Sequence, residues 1–316
     1  MRLSLLAAAL AAPLLAAPAG HAQSLRADGA PTALAGTADA PLAHARWSPA
    51  GDALAASRPD HTGLWRVALD GAARPLYDGA AYGAQWRPDG SALLIRADRW
   101  DGPRREHAAA VVDAATGEAT VLGAWRAHMP TLPRWSADGS AALVLGPDGA
   151  AEALRAPLAA EASVAETAPD AAVLLPSLDG LAVATAAGVR VHAPIAGARL
   201  LNATPSPDGA LVAFEVLGGG LHVARPDGSG LVALGPGHRP AWSPDGRWVA
   251  FMRTEDDGYA MTAADLWAAR ADGSAEVRLT RAPGLEMNPS WSPDGARIAY
   301  DDGQTVYLLP VTAAAE

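Results

Sequence analysis

Polar side chains recur just ahead of a repeated tryptophan motif, and their chemistry suits ligand binding. Six of them lie three to seven residues before a motif tryptophan: His44, Tyr82, His128, His238, Arg239 and Asn288. Gly83, Thr131, Asn202 and Met287 hold comparable positions. Imidazole, guanidinium, amide and phenol groups that converge on one opening can hold a polar or anionic ligand, or a metal ion. The six side chains are therefore the predicted ligand-binding residues, if the fold brings the motifs to a common centre.

The tryptophan motif itself predicts a tight β-hairpin. Its clearest copy, WSPDGRWVAF, begins at Trp242; further copies begin at Trp47, Trp86, Trp135 and Trp291, and two copies without the tryptophan begin at Pro176 and Pro205. In each turn, Pro presets φ, Asp caps the turn locally and Gly takes the position with positive φ. The small apolar and β-branched residues that follow suit a packed strand. One hairpin cannot bury its own faces, but seven stacked hairpins can.

A second glycine turn recurs between the motifs and completes a four-stranded unit. Asp70-Gly71, Asp227-Gly228 and Asp272-Gly273 each precede a short segment of strand character, and successive tryptophan motifs lie about 40 residues apart, the period of a propeller blade. The sequence therefore predicts an all-β fold: a single β-propeller of seven four-stranded blades. Six blades is the alternative count, because two repeats are degenerate. Residues 28–34 are predicted to form an outer strand that pairs with the C-terminal blade and closes the ring.

Composition limits the classes of partner. The chain has 316 residues, half of them hydrophobic, and a formal net charge of −10. An acidic surface repels phosphate backbones, so no nucleic-acid partner is expected. The sequence contains no cysteine, which excludes disulfides, thiolate metal sites, catalytic thiols and a lipid-attachment cysteine.

The N-terminal segment has the pattern of a secretory signal peptide. Arg2 precedes an apolar Ala/Leu run, and small residues follow up to Ala22; this predicts a signal peptide over residues 1–22 and a propeller over residues 23–316. An uncleaved anchor is the alternative, but the apolar run is shorter than the ~20 residues that span a bilayer. We therefore expect a soluble, periplasmic or secreted protein that does not span the membrane.

The repeats resemble those of a known family. WSPDGxxIAF, followed by Asp265-Leu266-Trp267, by Asp272-Gly273-Ser274 and by Arg278-Leu279-Thr280, is similar to the TolB-like, WD40-like β-propeller repeat. The resemblance covers essentially the whole chain after the signal peptide and weakens from about residue 154 to residue 221. It implies the propeller fold, whereas that repeat serves scaffolds, transport-associated proteins, peptidase lids and lyases alike. We find no Gly-x-Ser-x-Gly motif that would favour a hydrolase.

Two enlarged loops are expected to stand on the same face as the channel mouth. One is basic and aromatic, with Trp100, Arg104 and Arg105; the other is acidic, with Asp256, Asp257 and Tyr259. Tryptophan, arginine and tyrosine are the residue types that anchor interfaces, so these six residues are the predicted partner-binding rim. The alternative is that both loops are solvated hairpin tips.

These observations favour an exported, non-catalytic scaffold that binds a protein partner or a small polar ligand through its channel-mouth face. The chain is expected to be monomeric, with no cofactor, no metal site and no catalytic residue. The alternative function is a metal-assisted lyase or hydrolase of an acidic saccharide, with His44, His128 and His238 around the channel. The remaining histidines, His61, His107, His192 and His222, are expected to be surface or packing residues.

Overall fold

The computed structural model describes residues 23–146, 149–155, 173–177, 179–185 and 188–315. The predicted signal peptide, residues 1–22, lies outside the described residues. Named strands pair with antiparallel neighbours in a succession of small sheets. No helix in the described part of the chain is long and apolar enough to cross a membrane.

The N-terminal half begins with two single strands and continues with a seven-stranded sheet. The strands are β1 (Gln23–Ala27), β2 (Thr32–Ala35), β3 (Ala43–Trp47), β4 (Ala53–Ser57), β5 (Thr62–Ala68), β6 (Ala73–Trp86), β7 (Ala92–Asp101), β8 (Arg104–Asp113) and β9 (Ala119–Arg126). Strand β6 joins two blade-like groups, because its first half pairs with β5 and its second half with β7.

Five more groups of strands follow. Two three-stranded sheets contain β10 (Arg134–Trp135), β11 (Ala141–Leu145) and β12 (Ala151–Arg155), then β13 (Val173–Ser177), β14 (Gly180–Thr185) and β15 (Gly188–His192). Two four-stranded sheets contain β16 (Leu200–Pro205), β17 (Val212–Val216), β18 (Gly220–Ala224) and β19 (Val232–Gly235), then β20 (His238–Trp242), β21 (Trp248–Asp256), β22 (Met261–Arg270) and β23 (Glu276–Arg278). The last group contains β24 (Met287–Trp291), β25 (Arg297–Asp301) and β26 (Val306–Ala315).

Two features of the sheets bear on the predicted four-stranded unit. The expectation is wrong for the sheet β13–β15, because the described residues 193–199 between β15 and β16 form turns instead of an outer strand. Seven residues are too few for a turn, a strand and a return to the centre.

In the last group, β26 pairs with β2 through residues 306–308, and its C-terminal part also pairs with β1. The pairing with β1 was not predicted.

A serine present in most motif copies explains why the hairpin turn is so regular. In the copy at Trp242, the hydroxyl of Ser243 donates to the Oδ1 atom of Asp245 at 2.6 Å and accepts the backbone N–H of Trp248 at 2.9 Å. Gly246 has φ of 68°, a value that costs a glycine little. The same serine–aspartate bond occurs at Ser136, Ser206 and Ser292. The turn thus satisfies its own buried polar groups.

The motif tryptophans pack between neighbouring sheets. Trp47 lies in a cluster with residues of both β4 and the last group, and Trp242 in a cluster with residues of β17, β18 and β21. Three of the indole N–H groups donate to a backbone carbonyl of the previous inner strand, at the residue just before that strand's motif. Trp86 donates to Arg46 at 2.9 Å, Trp135 to Gln85 at 3.2 Å and Trp242 to Thr204 at 2.9 Å. Each tryptophan therefore links its inner strand to the previous one.

Candidate functional site

The inner strands share a backbone irregularity at the predicted mouth positions. Five of them, β3, β6, β16, β20 and β24, bulge three residues before the motif tryptophan or, in β16, before the equivalent proline. The bulge residue has positive φ in five strands, at His44 (56°), Gly83 (63°), Asn202 (49°), Arg239 (56°) and Asn288 (55°). Such a conformation turns the backbone N–H away from the sheet, so the N–H must find another partner or solvent.

In two of these strands, β20 and β3, a buried carboxylate is that partner. The backbone N–H of Arg239 donates to Oε1 of Glu215 at 2.6 Å, and the side-chain amide of Asn202 donates to the same oxygen at 2.6 Å. The bond from Arg239 ties β20 to the preceding sheet, whereas the bond from Asn202 lies within that sheet. His238 lies on the other carboxylate oxygen, with its Nδ1 atom 3.1 Å from Oε2, so this imidazole is engaged in the same network.

The same arrangement joins the last sheet to β3. Asp301, which is fully buried, accepts the backbone N–H of His44 at 2.8 Å, the side-chain amide of Asn288 at 3.1 Å and the backbone N–H of Gly303 at 3.1 Å. Burial nevertheless raises the pKa of Asp301 to about 6, since loss of hydration outweighs these donors. The two hydrogen-bond networks hold the bulged strands at the mouth in place. Because the oxygens of Glu215 and Asp301 already accept these hydrogen bonds, few of their lone pairs can face a ligand.

Residues of the inner strands enclose one cavity of about 640 Å³, a size typical of small-molecule sites. Its charged lining consists of Arg46, Arg96, Arg134 and Arg239, together with the imidazoles of His44 and His61. No Asp or Glu lines this cavity among the described residues. A chain of net charge −10 thus surrounds its central cavity with guanidinium groups.

Arg46 and Arg134 occupy equivalent places, each directly before a motif tryptophan. In β3 this position lies two residues after the bulge, about 6 Å along the strand from His44, and is called the base of the cavity. Arg46 donates to the carbonyl of Ala45 at 2.9 Å, and Arg134 to that of Ala203 at 3.2 Å. The Nε of Arg134 is buried without a partner. Burial and then the charge of Arg46 lower the pKa of Arg134 to about 10, so both side chains stay charged at neutral pH.

One wall of the cavity is a stack of rings. The imidazoles of His44 and His61 lie parallel with centroids 4.1 Å apart, Tyr82 follows at 4.8 Å, and the guanidinium of Arg96 lies 4.4 Å from the centre of the Tyr82 ring. Burial first, and the neighbouring His44 second, lower the pKa of His61 to about 4. Burial also lowers the pKa of His44. Both rings are therefore neutral near pH 7, and the positive charge of the cavity comes from its arginines.

The structure separates the predicted ligand-binding residues into two groups. His44, Tyr82 and Arg239 line the cavity, as do Thr131 and Asn202. His128 is exposed and His238 and Asn288 are turned to carboxylates, and none of the three is part of the lining. His61, expected to be a surface or packing residue, packs on His44 and also lines the cavity.

The alternative with three channel histidines is not supported by the geometry. Across the residues that the structure describes, no group of three His, Asp or Glu side chains is close enough to hold a metal ion. His44 has its Nε2 atom 3.1 Å from the carbonyl oxygen of Pro59, whereas His238 contacts Glu215. His44, His128 and His238 therefore do not form a shared site.

Sequence reasoning missed the two arginines at the base of the cavity and His61. The signal for Arg46 and Arg134 was available, since both directly precede a motif tryptophan, as does the cavity-lining Gln85. His61 could not be found in this way, because it lies in the turn before β5, where φ is 64°, and reaches the cavity only through tertiary packing.

The two enlarged loops form long hairpins on the face of the channel mouth. Tyr82 at the mouth pairs with Arg96, and the β7–β8 hairpin continues beyond it to Trp100, which is 71% exposed. His238 pairs with Met252, and the β21–β22 hairpin continues to Tyr259, which is 99% exposed. The basic hairpin also touches the mouth directly.

Arg105 and Asp98 connect the basic hairpin to Tyr82 at the mouth. Arg105 donates to the Tyr82 hydroxyl at 2.8 Å and to the Asp98 carboxylate at 2.5 Å. His107, expected to be a surface or packing residue, has its Nδ1 atom 2.6 Å from the same carboxylate. Arg104, Asp256 and Asp257 are exposed at the hairpin tips. The basic hairpin is therefore bonded to Tyr82 at the mouth through Arg105.

Comparison with solved structures defines the class of protein as a β-propeller. The chain matches the Swd1 β-propeller domain from Myceliophteria thermophila with a TM-score of 0.59 and 15% identity, over 90% of this chain and 100% of that domain. It also matches a protein assigned as TolB from Agrobacterium tumefaciens with a TM-score of 0.53 and 20% identity, over 86% of this chain and 90% of that one.

Sequence comparison finds partial similarity to TolB. The chain is 42% identical over 86 residues to the Tol-Pal system protein TolB of Zymomonas mobilis. The aligned region covers 25% of this chain and 18% of that protein. The chain thus matches less than a fifth of that relative's length. No protein-family model matches the chain. Together these findings confirm the β-propeller fold and the resemblance of the repeats to those of TolB.

Proposed function

We propose that this protein is an exported, non-catalytic scaffold that binds a protein partner or a small polar ligand at its channel mouth. The observation that carries the proposal is the cavity into which inner strands of different sheets direct polar side chains. Binding is favoured over catalysis because the acidic groups beside the cavity, Glu215 and Asp301, are already engaged by amide donors. The cavity histidines offer no carboxylate-backed general base.

The rim supports a role in protein binding. Trp100 and Tyr259 are exposed aromatic side chains at the tips of two hairpins, and their neighbours Arg104, Asp256 and Asp257 give the tips opposite charges. Exposed aromatic and arginine side chains are the usual anchors of an interface. The opposite charges would orient a partner across the face.

Export is proposed from the N-terminal sequence and from the partial match to TolB. Expression of the full chain followed by N-terminal sequencing of the product tests it. A product that begins at Gln23 in the periplasmic or extracellular fraction is expected. An unprocessed chain that starts at Met1 would contradict export by a cleaved signal peptide.

A ring of seven blades, closed by the pairing of β2 with β26, is part of the same proposal. Seven groups of strands follow the turn motifs, and the N-terminal strands β1 and β2 add to the C-terminal group. Removal of residues 23–35 from the exported chain should therefore lower its melting temperature markedly, because it would expose an edge of β26. An unchanged melting temperature would argue against closure.

Affinity capture from a periplasmic extract tests the binding role. Three variants are compared with the wild-type protein: a mouth variant with Tyr82→Ala and Arg239→Ala, a rim variant with Trp100→Ala and Tyr259→Ala, and a control with Arg281→Ala. Arg281 is exposed and does not line the cavity. A specific partner should be lost from the mouth or the rim variant and kept by the control. Equal capture by all four proteins would contradict the proposal.

A further inference from the structure

The base of the channel cavity concentrates positive charge that the protein itself does not neutralise. Arg46 and Arg134 both line the cavity directly before a motif tryptophan, and both bond only to main-chain carbonyls. Among the described residues, no carboxylate forms an ion pair with Arg46, Arg134 or Arg239. Elsewhere the arginines are commonly paired, as Arg66 is with Asp52.

The groups around these arginines do not neutralise their positive charge. Asp301 is the nearest acidic influence on Arg46, but it is fully buried and its oxygens accept three N–H donors. Arg239 and Arg46 repel each other, as do Arg46 and Arg134. Like charges held close in a partly buried cavity are unfavourable unless an anion lies between them.

We propose that the cavity is an oxyanion-binding site in which Arg46 and Arg134 hold a phosphate or carboxylate group that carries, with its ligand, at least two negative charges. The guanidinium fork suits the planar or tetrahedral oxygens of such groups, to which it binds through two parallel hydrogen bonds. The buried Nε of Arg134, which has no partner, is the donor that such a ligand would satisfy. This inference rests on the proposed function, since it assigns a ligand class to the same channel.

The remaining cavity defines the shape of the ligand. A volume of about 640 Å³ exceeds the needs of one small anion, so the ligand extends from the arginines toward the mouth. There it meets Arg239 and the His44–His61–Tyr82 stack, which also line the cavity. The neutral imidazoles and the phenol offer ring surface and hydrogen bonds rather than charge. The site thus fits an elongated molecule with an anionic head and a polar or planar body.

Isothermal titration calorimetry of the purified exported chain tests the site. Pyrophosphate and citrate serve as the two probes, in Tris buffer at pH 7.5 with the ionic strength matched by sodium chloride. We expect one-to-one binding of at least one probe, and the stronger probe tells whether phosphate or carboxylate groups are preferred. Arg46→Gln and Arg134→Gln should each weaken that binding at least tenfold. Arg46→Lys, which keeps the charge but loses the fork, should have an intermediate affinity.

Arg281→Gln is the matched control, because it removes the same charge from the exposed surface. It should bind the probe as the wild-type protein does. Failure of both probes to bind the wild-type protein at millimolar concentration would overturn the inference, as would equal binding by the Arg46, Arg134 and Arg281 variants. Circular dichroism confirms that each variant is folded. Since the titration uses no partner protein, its failure is distinguishable from failure of the scaffold role, which affinity capture measures.

Discussion

The backbone N–H of His44 donates a hydrogen bond of 2.8 Å to Oδ2 of Asp301, although the two residues lie 257 positions apart in the sequence. This bond joins the first inner strand, β3, to the last sheet. Its counterpart between Arg239 and Glu215 joins β20 to the sheet before it. A residue with positive φ on one inner strand and an acid on the preceding sheet thus form a repeated junction at the channel mouth.

Asp301 should give the protein an unusual pH dependence. Its folded pKa of about 6 lies above the value near 3.9 of an unfolded Asp, so the folded state binds more protons between these pH values. The stability that the protonated form provides is present below about pH 4 and is lost as pH rises through 6. Compared with Asp301→Asn, the wild-type free energy of unfolding should fall by about 2 kcal/mol from pH 4 to pH 7.

Urea denaturation of both proteins across this range measures the difference. Asp294→Asn is an informative control, because hydrogen bonds from Ser292 and Ala296 lower the pKa of Asp294. Its contribution to stability is lost as pH falls, which is the opposite sign. Parallel pH profiles for the wild type and Asp301→Asn would show that the Asp301 pKa is not raised.

His61 should destabilise the folded protein in mild acid. Its pKa falls from 6.5 to about 4 on folding, so its contribution is complete above pH 6.5 and is lost as pH falls toward 4. At pH 5 the wild-type protein should have lost about 2 kcal/mol relative to pH 7 through this group. His61→Asn keeps a residue type that tolerates positive φ and removes the titration.

Denaturant titrations at pH 7 and pH 5 check this expectation. The wild-type protein should lose more stability between the two pH values than His61→Asn does. His192→Asn is the control, because His192 is not part of the ring stack. An equal loss in the wild-type protein and His61→Asn would mean that the stacked imidazole does not titrate abnormally.

The turn serines should contribute to stability according to their burial. Ser243, which is 3% exposed, donates to Asp245 and accepts the N–H of Trp248. Ser243→Ala leaves that buried N–H without its acceptor and should cost about 1–3 kcal/mol. Ser274 donates to Asp272 in an exposed turn, so Ser274→Ala should cost less than about 0.5 kcal/mol. Thermal or urea unfolding measures both; equal costs would contradict a role for burial.

Local chemistry explains why much of the fold was predictable. The Trp-Ser-Pro-Asp-Gly turns satisfy their own hydrogen bonds, as at Ser243, and so hairpins could be assigned from sequence. Counting back from the tryptophans also found the positions of His44, Tyr82 and Arg239, which line the cavity. The outer strand missing after β15 could not be predicted from the average spacing of the repeats. It depends on the length of one connection, residues 193–199, which is too short to contain a strand.

Tertiary contacts explain what could not be predicted. His238 and Asn288 hold mouth positions in sequence, but Glu215 and Asp301 draw their side chains away from the cavity. Those carboxylates lie on second strands of the sheets, and no local pattern pairs them with a bulge. His61 reaches the cavity only by stacking on His44.

The arginines at the base of the cavity should be energetically coupled. Arg46 and Arg134 repel each other, so removing either charge relieves a repulsion that removing the other cannot relieve again. In a double-mutant cycle, Arg46→Gln with Arg134→Gln should therefore be less stable than the sum of the single effects predicts, by at least about 0.5 kcal/mol. Urea denaturation of the four proteins at low ionic strength measures the coupling.

A control cycle and a measurement with added ligand test whether this coupling arises inside the cavity. A second cycle, Arg46→Gln with Arg281→Gln, should be additive, because Arg281 lies on the exposed surface outside the cavity. If the cavity binds pyrophosphate or citrate, adding the bound probe should reduce or reverse the Arg46–Arg134 coupling, since an anion between the two guanidinium groups stabilises the wild-type protein most. Additivity in both cycles would show that the two side chains are too far apart or too well solvated to act on a shared ligand.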